Sequence, residues 1–289
     1  VPAGTAPSQD QIDSLMDCYQ AERLDDAEIL ARSLTKKFPE HPFAWKVLGS
    51  ALKLKGNFDG AKNAHEKVLQ LTPDDAEVHN NLGNTLVHLR KLEEAEACYK
   101  GAIALNENYT EAYNNLAITL LEMGRLNEAE ANCRKALGQN PEYADAYATL
   151  GRLLITQKKF SDAEIFLRRS VDLNPESVES INSLALLLCQ LGKEAEARRL
   201  LESALVEDPN SAASLINLAI LEKDLGKYAE AERLLRLAIE RQPNVGESNF
   251  NLGLLLYEMY RYDEALQFLE VSDAKLARHF KLKCLFHLQ

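Results

Sequence analysis

Aromatic residues are scarce in this sequence, at 7% of 289 positions. A core must therefore come from aliphatic side chains and alanine, which suits a soluble, mostly helical protein. Positive charge is in deficit: 33 Lys and Arg stand against 44 Asp and Glu, a net charge of −11. That balance argues against general affinity for nucleic acid or for an anionic membrane. No apolar run approaches the roughly 20 residues of a membrane span. Cysteine is limited to Cys18, Cys98, Cys133, Cys189 and Cys284, an odd number, scattered and never in a CxxC pair. These read as reduced core residues of a cytoplasmic protein and not as a disulfide framework. The opening VPAGTAPSQD has neither the basic start nor the apolar centre of a signal peptide. It also lacks an initiating Met, which leads us to expect a piece of a longer chain.

What the sequence does have is a period of 34. Pro39, Pro73, Pro141, Pro175, Pro209 and Pro243 lie on one ladder, with Glu107 on the rung that lacks proline. Ala27, Ala61, Ala95, Ala129, Ala163, Ala197, Ala231 and Ala265 fill every rung of a second. A third runs Gly49, Gly83, Ala117, Gly151, Ala185, Ala219, Gly253. Each unit reads as two helices. In 110–143, Tyr113, Leu116, Ala117 and Leu120 recur at helical spacing and give one buried face. Gly124 can end the first helix, because it has no Cβ to resist a positive φ. The proline of NPEY ends the second. Small rungs are expected where the two helices cross. A single hairpin cannot bury its apolar face, so successive units must stack.

These ladders resemble the tetratricopeptide repeat, with the small residue at repeat position 8 (Gly83, Ala117), alanine at 20 (Ala95, Ala129) and proline at 32 (Pro73, Pro141). The resemblance implies an all-α fold, a right-handed α-solenoid of eight helix-turn-helix units. The units expected are 8–41, 42–75, 76–109, 110–143, 144–177, 178–211, 212–245 and 246–279, after a flexible segment 1–7. Residues 280–289 are expected to be a capping helix or the start of a further domain. Departures sit mainly at the edges: Leu15 on the first small rung, the missing proline of the third unit, and Tyr260 where glycine is common.

Pairs of asparagines recur inside the first helices, as NNLG at 80–83 and NNLA at 114–117. Asparagine is a mediocre helix former, because its amide competes for backbone hydrogen bonds. In this family the first helices line a concave inner surface. Positions 5 and 6 lie off the buried stripe of positions 4, 7, 8 and 11 and should face that groove. Position 6 carries Asn81, Asn115, Asn217 and Asn251, interrupted by Thr149 and Ser183; position 5 adds Asn80, Asn114 and Asn182. A primary amide offers two donors and an acceptor and can pair with the backbone of an extended peptide whatever its sequence. The competing reading is that the amides bridge neighbouring repeats or face water. Position 2 carries Glu77, Glu111, Asp145 and Glu179, with Arg152 as the chief nearby cation. An acidic wall favours a neutral to basic guest, although carboxylates at helix starts also stabilise the dipole. The expected peptide-binding set is Asn80, Asn81, Asn84, Glu111, Asn114, Asn115, Asp145, Arg152, Asn182, Asn217 and Asn251. Ile216, Ile220, Phe250, Leu254 and Tyr257 are a possible apolar anchor, or equally a capping or self-association patch.

The asparagine ladder also resembles the repeat region of O-linked N-acetylglucosamine transferases, in which groove asparagines hold the backbone of protein substrates; the matching positions are Asn81, Asn115, Asn217 and Asn251. Residues 21–56 look like bacterial repeat proteins in which such an array precedes a glycosyltransferase, sulfotransferase or oxygenase domain. The carboxylate clamp of chaperone-tail binders does not fit, because Glu111 stands where that clamp needs lysine. No catalytic motif is present: the six histidines form no HExxH, the glycines no phosphate loop, and a metal between His65 and His79 is not expected. The expected function is a cofactor-free, non-enzymatic scaffold that binds an extended protein or peptide segment, with no nucleic acid or membrane partner. Self-association through the array ends is possible. The alternative is the substrate-recruiting arm of a larger modifying enzyme.

Overall fold

The computed structural model describes residues 6–243, 246–272 and 277–287. Every regular element among them is a helix. The chain divides into two compact units, Val1–Glu142 and Tyr143–Gln289. The first holds α1 (Gln9–Gln20), α2 (Leu24–Lys37), α3 (Pro42–Leu54), α4 (Phe58–Leu71), α5 (Ala76–His88), α6 (Leu92–Leu105), α7 (Thr110–Glu122) and α8 (Leu126–Gln139). The second holds α9 (Ala144–Thr156), α10 (Phe160–Leu173), α11 (Val178–Gln190), α12 (Glu194–Glu207), α13 (Ala212–Asp224), α14 (Tyr228–Arg241), α15 (Gly246–Glu258), α16 (Tyr262–Val271) and α17 (Ala277–His287). The all-α class expected from the ladders is the class found. Each hairpin from α1–α2 to α15–α16 falls within one of the eight expected units. Part of the expected flexible start (residues 1–5), residues 273–276 of the eighth unit and residues 288–289 of the expected cap lie outside the described residues.

Local chemistry starts and stops these helices. Ser8 and Gln11 form a reciprocal capping box on α1, and Asn57, Asp75, Ser177 and Ser211 cap α4, α5, α11 and α13 with their side chains. The first helix of every hairpin ends in the left-handed region at repeat position 15. Gly56, Gly124, Gly192 and Gly226 occupy it in four units, and Glu22, Arg90, Lys158 and Tyr260, with φ of 54° to 62°, in the others. After α5, Arg90 N–H donates to Val87 O and Lys91 N–H to Leu86 O, each at 2.9 Å, which closes the last turn.

The small rungs mark helix crossings. All eight ladder alanines are fully buried. A Cβ on Gly83 would lie 2.6 Å from the Tyr99 ring, and one on Gly151 or Gly253 2.6–2.7 Å from Leu167 or Leu269. Position 8 is thus kept small by the bulk at position 24. In the first hairpin the sizes are exchanged, Leu15 against Ala31, and both are fully buried; this is how a leucine is accommodated on a small rung.

Within each unit consecutive first helices touch: α1–α3, α3–α5 and α5–α7 in one, α9–α11, α11–α13, α13–α15 and α15–α17 in the other. Within each unit, among the described residues, no two second helices bring Cα atoms within 8 Å of each other; they meet only through long side chains, as Arg168 of α10 reaches Glu196 of α12 at 2.6 Å. The first helices therefore take the inner side of each curved stack. From the turn inside one hairpin to the second helix of the hairpin before it, ion pairs join successive repeats: Lys55–Glu28, Arg125–Glu96, Lys193–Glu164 and Arg261–Glu232, each at 2.6 Å. Arg125 is held strongly protonated by its hydrogen bonds to Glu128 and Glu96, and Glu164 is held ionised by those from Lys193 and Arg168.

Candidate functional site

The inner faces of the first helices carry nearly all the residues singled out above. In the first unit the adjacent asparagines of α5 part company. Asn80 is 1% exposed, whereas Asn81 is half-buried. Asn80 Nδ2 donates to Glu111 Oε1 of the next first helix at 3.0 Å, and its Oδ1 accepts from Asn115 Nδ2 at 3.0 Å. The second unit repeats the arrangement: Asn182 donates to Ser214 Oγ at 3.0 Å and accepts from Asn217 Nδ2 at 3.3 Å. Asn114 is buried as well. The expectation that position-5 amides face the groove is corrected for Asn80, Asn114 and Asn182. They are interior, and two of them tie one repeat to the next, because a buried amide needs partners and the following first helix supplies them. Asn115 and Asn217 divide their role, half-buried on the inner face but donating to those buried neighbours.

Asn81 makes no side-chain hydrogen bond; only its backbone carbonyl is used, by the Thr85 hydroxyl at 2.9 Å. Asn84 Oδ1 accepts from Tyr99 OH at 2.8 Å, and burial pushes the Tyr99 phenol well up. Asn251 Nδ2 donates to Glu247 O at 3.0 Å, within its own helix. Glu77 and Glu111 are exposed in the first turns of α5 and α7; Asp145 and Glu179 are exposed in those of α9 and α11. Arg152 does not stand free beside the acids, for its Nη1 donates to Glu179 Oε1 at 2.7 Å.

The apolar set divides. Ile216 is 2% exposed and belongs to the core. Ile220, Phe250, Leu254 and Tyr257 are half-buried. The Phe250 and Tyr257 rings pack edge-on against Phe280 of α17, with centroids 6.4 and 5.5 Å apart, and Tyr262 stacks on His287 at 4.6 Å. These aromatics seat the terminal helix, so the site open to a ligand is smaller than the sequence suggested.

Among the described residues, three of the concavities lie on the inner faces. One of about 220 Å³ lies across α1, α3 and α5, between Phe43, Val47, Glu77 and Asn81. A second, about 250 Å³, is bounded by Lys53, Asn84, His88, Asn115 and Ile118. The third, about 390 Å³ in the second unit, is bounded by Glu179, Ser183, Leu186, Asn217 and Glu247. Two features escaped sequence reasoning. His65, buried against Gly49, is among the residues that line the first concavity; the signal was a histidine at position 24 opposite Gly49. Glu222, 1% exposed, is paired by Arg198 and Lys227; the signal was arginine at position 21, where five of the other units carry Glu28, Glu96, Glu130, Glu164 and Glu232. Among the described residues no group of three or more His, Cys, Asp or Glu is arranged to hold a metal ion. Among the described residues no helix is long and apolar enough to cross a membrane.

A tetratricopeptide repeat model matches residues 52–117, 120–188 and 188–248, and a second one matches 251–272, together well over half the chain. A pentatricopeptide repeat-containing protein of Arabidopsis thaliana is 30% identical over 95 residues, covering 32% of this chain and 12% of that protein. Among solved structures, the Cut9–Hcn1 hetero-tetramer of the APC/C matches with a TM-score of 0.70 at 16% identity, over 95% of this chain and 54% of that one. A tetratricopeptide repeat protein from Parabacteroides merdae matches with a TM-score of 0.66 at 19% identity, over 84% and 98%. At these identities the structural matches speak for the fold. The chain spans about half the length of the Cut9–Hcn1 chain and a small part of the Arabidopsis protein.

Proposed function

This chain belongs to the tetratricopeptide repeat family, and from that premise we propose that it holds an extended, neutral to basic segment of a partner protein against its first helices. Proteins of this family act as protein-interaction scaffolds. The observation that carries the finer reading is Asn81: a half-buried amide on an inner face, with no hydrogen bond of its own, at the edge of a cavity it shares with the exposed Glu77. Two donors and an acceptor left over at such a place fit the N–H and C=O of a passing backbone. Exposed Glu77 and Glu111 in the same unit favour a guest with positive charge.

A peptide array with matched basic, neutral and acidic sequences tests this. Basic and neutral peptides should be retained, and the basic ones released as salt rises, since exposed charges are screened over about 8 Å at physiological ionic strength. Asn81→Ala should weaken retention with little change in stability. Retention of acidic peptides alone would overturn the charge assignment, and no retention of any peptide would overturn the groove.

A further inference from the structure

We propose that the concavity of about 390 Å³ across α11, α13 and α15 is a subsite for one arginine side chain of the partner, with the Glu247 carboxylate as its counter-ion. This rests on the reading above, that the inner faces hold a partner segment, and adds a specific contact in the second unit. The concavity marks a break in the repeat. One joint earlier, position 9 of α9 is Arg152 and position 2 of α11 is Glu179, and Arg152 Nη1 donates to Glu179 Oε1 at 2.7 Å. At the joint of α11 with α13 the same two positions are Leu186 and Ala213. Both line the concavity and both are exposed. Where the neighbouring joint holds a guanidinium and a carboxylate, this one has a gap beside an apolar side chain.

The charge of the lining selects the occupant. The lining includes Glu179 and Glu247 and no basic side chain. Glu179 is already met by Arg152. Glu247 is exposed in the first turn of α15, and its carboxylate has no partner among the described residues; Asn251 Nδ2 reaches only its backbone carbonyl. The same pattern gives the reason, for the position-9 residue before Glu247 is Ile220, which offers no charge. Asn217, also in the lining, gives an Nδ2 hydrogen to Asn182 Oδ1 at 3.3 Å and keeps its own Oδ1 as an acceptor. These groups match a donor with positive charge, and Val178, Leu186 and Ile216 match an aliphatic stem. Arginine and lysine both carry such a stem. The planar guanidinium presents its N–H groups as a fork and can meet a carboxylate and an amide oxygen together, which a compact ammonium does less well. It is also the group that the chain itself sets against Glu179.

The probes are blocked tripeptides with a central arginine, its neutral isostere citrulline, or lysine, titrated into the full chain and followed by NMR. The arginine peptide should bind about tenfold more tightly than the citrulline peptide, the worth of one hydrogen bond to a charged group at an accessible site. It should move the Leu186 methyl and Asn217 side-chain amide resonances, and it should be released as salt rises. Glu247→Gln should bring arginine down to the citrulline level with the helical circular dichroism unchanged. Leu186→Arg combined with Ala213→Glu rebuilds the Arg152–Glu179 pair in the gap and should abolish binding, again with the helices intact. Equal binding of arginine and citrulline, undiminished binding to Glu247→Gln, or binding of none of the peptides would overturn the subsite. Lysine bound as tightly as arginine would overturn the choice of the guanidinium. Basic peptides retained through Asn81 but silent at Leu186 would leave the groove of the first unit standing and refute this contact.

Discussion

Replacing Asn80 with alanine separates a structural latch from a ligand contact. Asn80 is 1% exposed and makes two cross-repeat hydrogen bonds at 3.0 Å, one to the Glu111 carboxylate and one from the Asn115 amide. A hydrogen bond to a charged group contributes roughly 1.5–3 kcal/mol and a neutral one about 1 kcal/mol. Glu111 is exposed and Asn115 half-buried, so water can take over both freed partners, which puts the expected loss at the low end, about 2 kcal/mol. Urea unfolding followed by circular dichroism measures it. The midpoint should fall with little change in slope, which identifies a loss of stability and not a change in compactness. Asn81→Ala is the internal control, since its amide has no bond to lose; its effect should stay within about 0.5 kcal/mol. A double-mutant cycle of Asn80→Ala with Asn115→Ala should return a coupling of about 1 kcal/mol. If Asn80→Ala leaves the midpoint where it was, the latch is wrong and the buried amide has another explanation.

Three further outcomes are expected. Lys158 sits in the left-handed region at φ 60°; Lys158→Gly should stabilise by roughly 0.5–1 kcal/mol, the αL penalty relieved less the added freedom of the unfolded chain, and a fall in the urea midpoint would contradict this. Arg198→Ala should cost about 3 kcal/mol, because it takes one of two cations from the buried Glu222 carboxylate; the double variant with Glu222→Leu should recover part of that, and a purely additive result would refute the pairing. His65, buried chiefly at the expense of its charged form, with Lys53 adding to the effect, has a folded pKa of about 4 against 6.5 when unfolded. Its neutral form's contribution is complete above pH 6.5 and is lost as pH falls towards 4, up to about 3 kcal/mol. Thermal unfolding at stepped pH should show this loss reduced in His65→Leu.

The sequence alone determined the repeat. Alanine on every rung at position 20 and small residues at position 8 are steric requirements of a helix crossing, repeated at a fixed interval, so the all-α class and its hairpin unit could be read directly. The turn after each first helix was only partly legible. Glycine marks it in four units, but Glu22, Arg90, Lys158 and Tyr260 adopt the same left-handed backbone, because the closing hydrogen bonds require it whatever the side chain. What only tertiary structure decided is which of two adjacent amides turns inward. Asn80 and Asn81 are about 100° apart around one helix, and periodicity within that helix places both off the buried stripe. The offset of the next hairpin brings Glu111 and Asn115 over Asn80 and leaves Asn81 uncovered. In the same way the rings of Phe250 and Tyr257 are open on their own helix, and α17 closes over them with Phe280. A helical pattern records which side of a helix is apolar; which polar residues end up inside depends on the neighbour that packs against it.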